Sequence, residues 1–194
     1  MSSFLEVPET TPAAQAMYDE DIADDGFVWN VSRLWAYQPE TLDELFTLMS
    51  TAFHHSGLEL RQRGILVAAA ASTLGDSYCS LAWGGKLSGW VDPDLAAAVL
   101  TGADHGLTDQ ERALAAWARK VVKDPNSTTE VDVQLLRDSG LTDAQVFAVT
   151  AFVALRLAFS TINDALGATP DRQLVATLPQ EVTTAVTWGR PPTD

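Results

Sequence analysis

RQRGILVAAAASTLGDSYCSLAWGGKL, residues Arg61 to Leu87, is the segment around which the rest of the chain is organised. From about Ile65 to Leu74 it is apolar and reads as a buried helix, and no strand pattern competes with that reading. Gly75 breaks the helix. Asp76 stands where an N-cap belongs, and the second helix beginning there carries Cys79, the only cysteine in the chain. Any chemistry should gather at that junction.

Outward from this pair the chain predicts helices only. The first dozen residues, MSSFLEVPETTP, read as a flexible arm, followed by a short helix from about Ala13 to Ala23. Val28 to Tyr37 places Val31, Leu34 and Trp35 on one face. Pro39 suits the first turn of a helix reaching about His55, whose Leu42, Leu45, Phe46, Met49 and Phe53 recur at core spacing. Beyond the central pair, Asp92-Pro93 opens a short helix ending near Gly102, and Thr108 with Glu111 forms a capping box for a helix from about Asp109 to Lys123, with Leu114, Trp117 and Val121 inward. Pro125 to Ser127 reads as a surface turn, and Glu130 to Ser139 as a short helix. Thr142 with Gln145 forms a second box, opening the longest helix, which runs to about Leu166 with Gly167 as its cap. That helix is apolar almost all round and must be enclosed, by the rest of the domain or by another subunit. A last helix is expected from Pro179 to about Thr187. LELRQRGILVAAAAS and LTDAQVFAVTAFVAL share a layout, an echo too weak to establish a repeat.

At 194 residues the chain is expected to form a single helical domain, 1–194. It is 46% apolar, with twelve basic against twenty-six acidic residues and a net charge of -14. That balance disfavours nucleic acid and anionic membranes, which need clustered Lys and Arg. The acidic YDEDIADDG, Tyr18 to Gly26, reads as a solvated face; it lacks the ligand spacing of a calcium loop, and neither metal nor cofactor is expected. One cysteine makes no internal disulfide, and the N-terminus lacks the basic start and apolar run of a signal peptide, so a cytoplasmic location is expected. The apolar run Val146 to Ile162 is interrupted by Arg156 and is shorter than the roughly 20 residues of a membrane span, so it reads as a core helix.

The junction also resembles a known family. A helix ending just before Cys-x-x-Cys-x-x-x-His, with a glutamate twelve residues before the first cysteine, marks the alkylhydroperoxidase D and carboxymuconolactone decarboxylase superfamily, and this chain resembles its peroxidase-related branch. FVWNVSRLWAYQPETLDEL, SYCSLAWGGKL, LTDQERALAAWARKV and LRDSGLTDAQVFAVTAFVALRLAFSTINDALGATPD carry the likeness. It implies an all-α, AhpD-like multi-helix bundle that assembles as a homo-oligomer. Three of the four catalytic positions are changed: Asp76 replaces the first cysteine, Trp83 the histidine and Gly64 the glutamate.

In the resembling peroxidases the second cysteine attacks the peroxide oxygen, and Cys79 corresponds to it. A helix start favours a thiolate there, whereas a charged Asp76 repels one and also takes the backbone N–H of residue 79. Trp83 can line a pocket but cannot shuttle protons. His54 and His55 read as imidazoles at the negative end of a helix dipole, or one of them folds over Cys79 in place of the missing histidine. Gly84-Gly85 either loosens the helix or permits close packing of a neighbouring backbone. Arg61 and Arg63 read as charges facing solvent or an interface. With Lys86 they are the cations that a decarboxylase reaction would need.

Two functions stay open. One is a one-cysteine peroxidase-like oxidoreductase in which Cys79 meets a small-molecule hydroperoxide and an external thiol reduces it. The other is a binding or scaffold protein whose Trp83 pocket holds an apolar small molecule or simply completes a subunit core.

Overall fold

The computed structural model describes residues 2–193 and contains eleven α-helices among them: α1 (Pro12–Asp25), α2 (Asn30–Trp35), α3 (Pro39–Ser56), α4 (Leu60–Leu74), α5 (Ser77–Ser88), α6 (Pro93–Thr101), α7 (Asp109–Lys123), α8 (Glu130–Asp138), α9 (Asp143–Ala165), α10 (Arg172–Val175) and α11 (Gln180–Ala185). A 3₁₀ turn spans Pro125–Ser127, and the described residues form no strand beyond an isolated bridge between Asp171 and Thr193. The architecture is the all-α bundle that the helical periodicity demanded.

Local chemistry accounts for the helix ends. Thr108 and Thr142 accept from the N–H groups of Glu111 and Gln145, whose side chains accept in return from the capping residues. Helix α4 begins at Leu60, five residues before the expected Ile65, because the Gln62 side chain accepts the Glu59 backbone N–H at 2.8 Å and satisfies one of the helix's free donors. Short α10 was not anticipated; only four residues long, it carries no legible period.

Helix α4 is the centre of the bundle. It packs against α5, α6, α7 and α9, and α3 lies along α9. Ile65 through Ala69 are almost inaccessible to solvent, and the alanines let neighbouring backbones approach. At Gly64 an added Cβ would stand 3.0 Å from Leu87 and 3.2 Å from Trp90, so glycine is what allows the end of α5 to close on α4. Gly84 does the same for the C-terminal segment: a Cβ there would lie 2.8 Å from Val182 and 2.9 Å from Leu100.

By length and composition alone α9 could cross a membrane. Here it packs along α3 and α7 and buries Arg156, Ser160 and Asn163. Residues 2–11 form no helix; the Phe4 N–H donates to the Leu166 carbonyl at 2.8 Å and the Thr169 N–H to the Ser2 carbonyl at 3.1 Å. Two side chains sit differently from their sequence reading. Phe46 is 43% exposed, with its ring 5.4 Å from Phe159 at the edge of a cavity. Arg63 turns into that same cavity, whereas Arg61 pairs with Glu111 at 2.6 Å. Helical period assigns a residue to a face of its own helix; it does not say whether that face meets core or cavity.

Candidate functional site: a cation-lined cavity with Cys79 at its floor

The site is built at the α4–α5 junction. Gly75 adopts a left-handed conformation (φ 83°) that ends α4, and Asp76 caps α5 by accepting the Cys79 N–H at Oδ1, 2.8 Å away. This turn holds Cys79 inside the first turn of α5, 2% exposed. Arg156 and Ser160, one turn apart on α9, cover the sulfur: Arg156 Nη2 donates to Cys79 Sγ at 3.3 Å, and Ser160 Oγ lies 3.6 Å from it. Beside Cys79, the buried Tyr78 hydroxyl donates to Asp171 Oδ2 at 2.6 Å, and Asp171 Oδ1 accepts the Asn30 N–H at 2.9 Å. These bonds tie α2, α5 and the C-terminal segment together behind the thiol.

Cys79 belongs to the wall of a cavity of about 880 Å³, within the size range of small-molecule sites. Buried Met49, Trp83 and Phe159 lie with Cys79 in its deeper wall, and exposed Asp25, Phe46 and Lys86 mark where it meets solvent. Three cations surround the Trp83 indole: Arg63 at 5.1 Å, Lys86 at 5.1 Å and Arg156 at 5.4 Å from the ring centroid. Arg63 is flanked by Phe53 and Phe152 as well, and Arg156 by Phe159.

Electrostatics at the sulfur are opposed. Burial pushes the Cys79 thiol far above the ordinary range and the negative charge of Asp76 adds to this, while Arg156 and Ser160 pull the other way and do not prevail. The thiol is therefore protonated in the unliganded protein at neutral pH. Burial lowers Arg63 from its usual value and Arg156 lowers it further; the Lys86 ammonium, drawn over the Trp83 ring at the cavity's open edge, is lowered by partial desolvation and by Arg156 and Arg63, against the pull of Asp25.

Of the residues singled out from sequence, Cys79 and Trp83 meet in the cavity. Asp76 sits behind Cys79 as its cap, off the cavity wall, with Oδ2 buried and unpartnered. His54 and His55 are exposed at the end of α3 and are not among the cavity's residues, so the group over the sulfur is Arg156, not an imidazole. Gly84 and Gly85 admit neighbouring side chains and not the neighbouring backbone that was expected: Val182 and Leu100 against the first, Leu178 against the second. Sequence reading missed Arg156 and Ser160. Their signal was present, an arginine interrupting the most apolar helix with a hydroxyl four residues later on the same face. No group of three or more His, Cys, Asp or Glu side chains among the described residues is placed to hold a metal ion.

No family model matches the sequence, and no curated protein matches it. Solved structures do. An uncharacterized peroxidase-related protein with an alkylhydroperoxidase AhpD core from Ralstonia eutropha JMP134 superposes with a TM-score of 0.78 at 24% identity, over 90% of this chain and 95% of that one. An uncharacterized peroxidase-related protein from Silicibacter sp. TM1040 follows with 0.77 at 18%, over 89% and 94%. The debrominase Bmp8 matches with 0.73 at 15%, over 94% and 97%. A cysteine-to-alanine form of Bmp8 in complex with 2,3,4-tribromopyrrole matches with 0.71 at 14%, over 90% and 91%. The chain has the alkylhydroperoxidase D-like fold, as its resemblance implied.

Proposed function

We propose that this protein is a peroxidase-related oxidoreductase working with a single cysteine on a small organic molecule taken into the Cys79 cavity. The observation that carries the reading is the sulfur's position: it shares a cavity of small-molecule size with Trp83 and receives a guanidinium hydrogen bond from Arg156. A neighbour of the same fold crystallised with a small flat heteroaromatic supports a ligand of that size.

The substrate of this reaction is an organic hydroperoxide. The Cys79 thiol loses its proton, the sulfur attacks the terminal peroxide oxygen, the O–O bond breaks, and the alkoxide leaves as the alcohol after taking up a proton. The resulting sulfenic acid has no second cysteine in the chain to meet. One external thiol displaces water to give a mixed disulfide, and a second releases Cys79 with formation of the small-molecule disulfide. Arg156 is the group placed to stabilise the developing thiolate.

A second reading has its own observation. The thiol is held protonated by burial, which favours a protein that binds the small molecule without turning it over. Mass measurement after treatment with cumene hydroperoxide separates the two. Addition of a single oxygen confined to Cys79, abolished in Cys79→Ser and reversed by a thiol, is expected for the enzyme; an unmodified Cys79 in the folded protein leaves the binding protein. A cytoplasmic location follows from the same requirement for an external thiol pool. Assembly with further copies through α9, where Phe147 is 77% exposed, is checked by light scattering.

A further inference from the structure

We infer that the ligand of the Cys79 cavity is an organic anion, a flat aromatic body carrying a carboxylate, held by Arg63, Lys86 and Arg156. The inference rests on the small-molecule reading above and names the chemical class that the cavity selects.

The three cations are the point. The chain carries twelve basic residues against twenty-six acidic ones, yet three of the twelve converge on one indole inside one cavity. None of the three has a carboxylate within ion-pair distance among the described residues. Arg61, Arg119, Lys120 and Arg137, elsewhere on the molecule, all have one. Inside the cavity, the Nε atoms of Arg63 and of Arg156 are buried without any hydrogen-bond partner, and the one hydrogen bond made by the Arg156 guanidinium goes to the weak acceptor Cys79 Sγ.

Stacking on Trp83 offsets part of the cost of withdrawing the two arginines from water, but it does not supply an acceptor for their buried N–H groups or cancel the repulsion among the three cations. A carboxylate does both, and arginine forks bind it through paired N–H donors. The carboxylates that do line the cavity, Asp21 and Asp25, form no ion pair with the three cations: Asp21 accepts the Trp29 backbone N–H at 3.1 Å, and Asp25 accepts the Trp29 indole N–H at 2.9 Å and reaches Lys86 only as a more distant charge. The rest of the wall explains the body of the ligand. Trp29, Phe46, Trp83 and Phe159 give flat apolar faces, with Leu42 and Met49 between them.

Calorimetry of the full-length protein tests this with matched pairs of probes: benzoate, naphthalene-2-carboxylate and indole-3-carboxylate, each against its own neutral amide. At least one acid is expected to bind ten times or more tightly than its amide, with the preference shrinking at 0.5 M salt. Lys86→Gln, at the exposed mouth, should cost the acid threefold to tenfold and leave the amide unmoved; Arg63→Gln should do the same. Equal affinity for acid and amide, no binding of any acid in the set, or an acid preference unmoved by both substitutions overturns the inference. Heat of binding reads no thiol chemistry. Anion selectivity therefore stands or falls separately from the oxidation of Cys79.

Discussion

Replacing Asp76 with asparagine separates the two things that side chain does. Asparagine keeps an oxygen to accept the Cys79 N–H, now 2.8 Å from Oδ1, and is as good an N-cap as aspartate. It removes the negative charge that raises both the Cys79 thiol and the Asp164 carboxyl. Asp164 is held up at about 6 from an ordinary 3.8, first by burial and second by Asp76, against the pull of Arg190 at 3.8 Å. A carboxyl whose folded value lies above its unfolded one contributes stability that is complete below the unfolded value, near pH 4, and is lost as pH rises through about 6. The whole displacement is worth about 3 kcal/mol at 1.36 kcal/mol per unit. Because the Asp164 side chain is still 31% exposed, solvent screening reduces this to about 1–2 kcal/mol. Asp76 is the second cause after burial, so Asp76→Asn should recover about 0.5–1 kcal/mol of it.

The assay is urea unfolding of both proteins at pH 4.5 and pH 7.5. The stability lost between the two pH values should be smaller in Asp76→Asn by that amount. Asp76→Ala serves as control: it removes the same charge and also loses the cap, so it should lie about 1 kcal/mol below Asp76→Asn at both pH values. Alkylation of Cys79 in the folded protein at pH 8.5 gives an independent readout, expected to be several-fold to about tenfold faster in Asp76→Asn, a factor of ten for each unit the thiol comes down. An unchanged pH dependence together with alkylation no faster than in the parent protein would refute the assignment of Asp76 as the charge that governs this corner.

Two further substitutions test the packing behind the site. Gly84→Ala places a Cβ against Val182 and Leu100 and should destabilise by about 1–2 kcal/mol, overpacking outweighing the gain in helix propensity, with faster protease cleavage of the C-terminal segment as the visible sign. Tyr78→Phe removes the 2.6 Å hydrogen bond to buried Asp171 and should cost about 1–3 kcal/mol in chemical unfolding, more at pH 8 than at pH 5, because a charged carboxylate suffers most from the missing donor.

Much of the architecture was legible from residues alone, because its signals are local. Capping boxes at Thr108 and Thr142, the prolines opening α3 and α6, and glycine at the α4–α5 break act within one turn of themselves and require no knowledge of the rest of the chain. The same holds for Cys79 at the start of α5 under an Asp76 cap. Local signals also failed where they were thin. Four residues of α10 carry no period, and the Glu59–Gln62 box was hidden because glutamate is a less usual cap than serine or threonine.

What tertiary structure alone decided is the company the sulfur keeps. Arg156 lies seventy-seven residues from Cys79 and Arg63 belongs to another helix, so no spacing in the chain announces that both guanidiniums share one indole with Lys86. The helices and the capped cysteine were written in the local sequence. Long-range packing turned Arg63 inward, left His54 and His55 at the surface, and set three cations facing an apolar cavity. Which way a side chain points depends on what the neighbouring helices leave unfilled, and that is a property of their packing rather than of any single stretch.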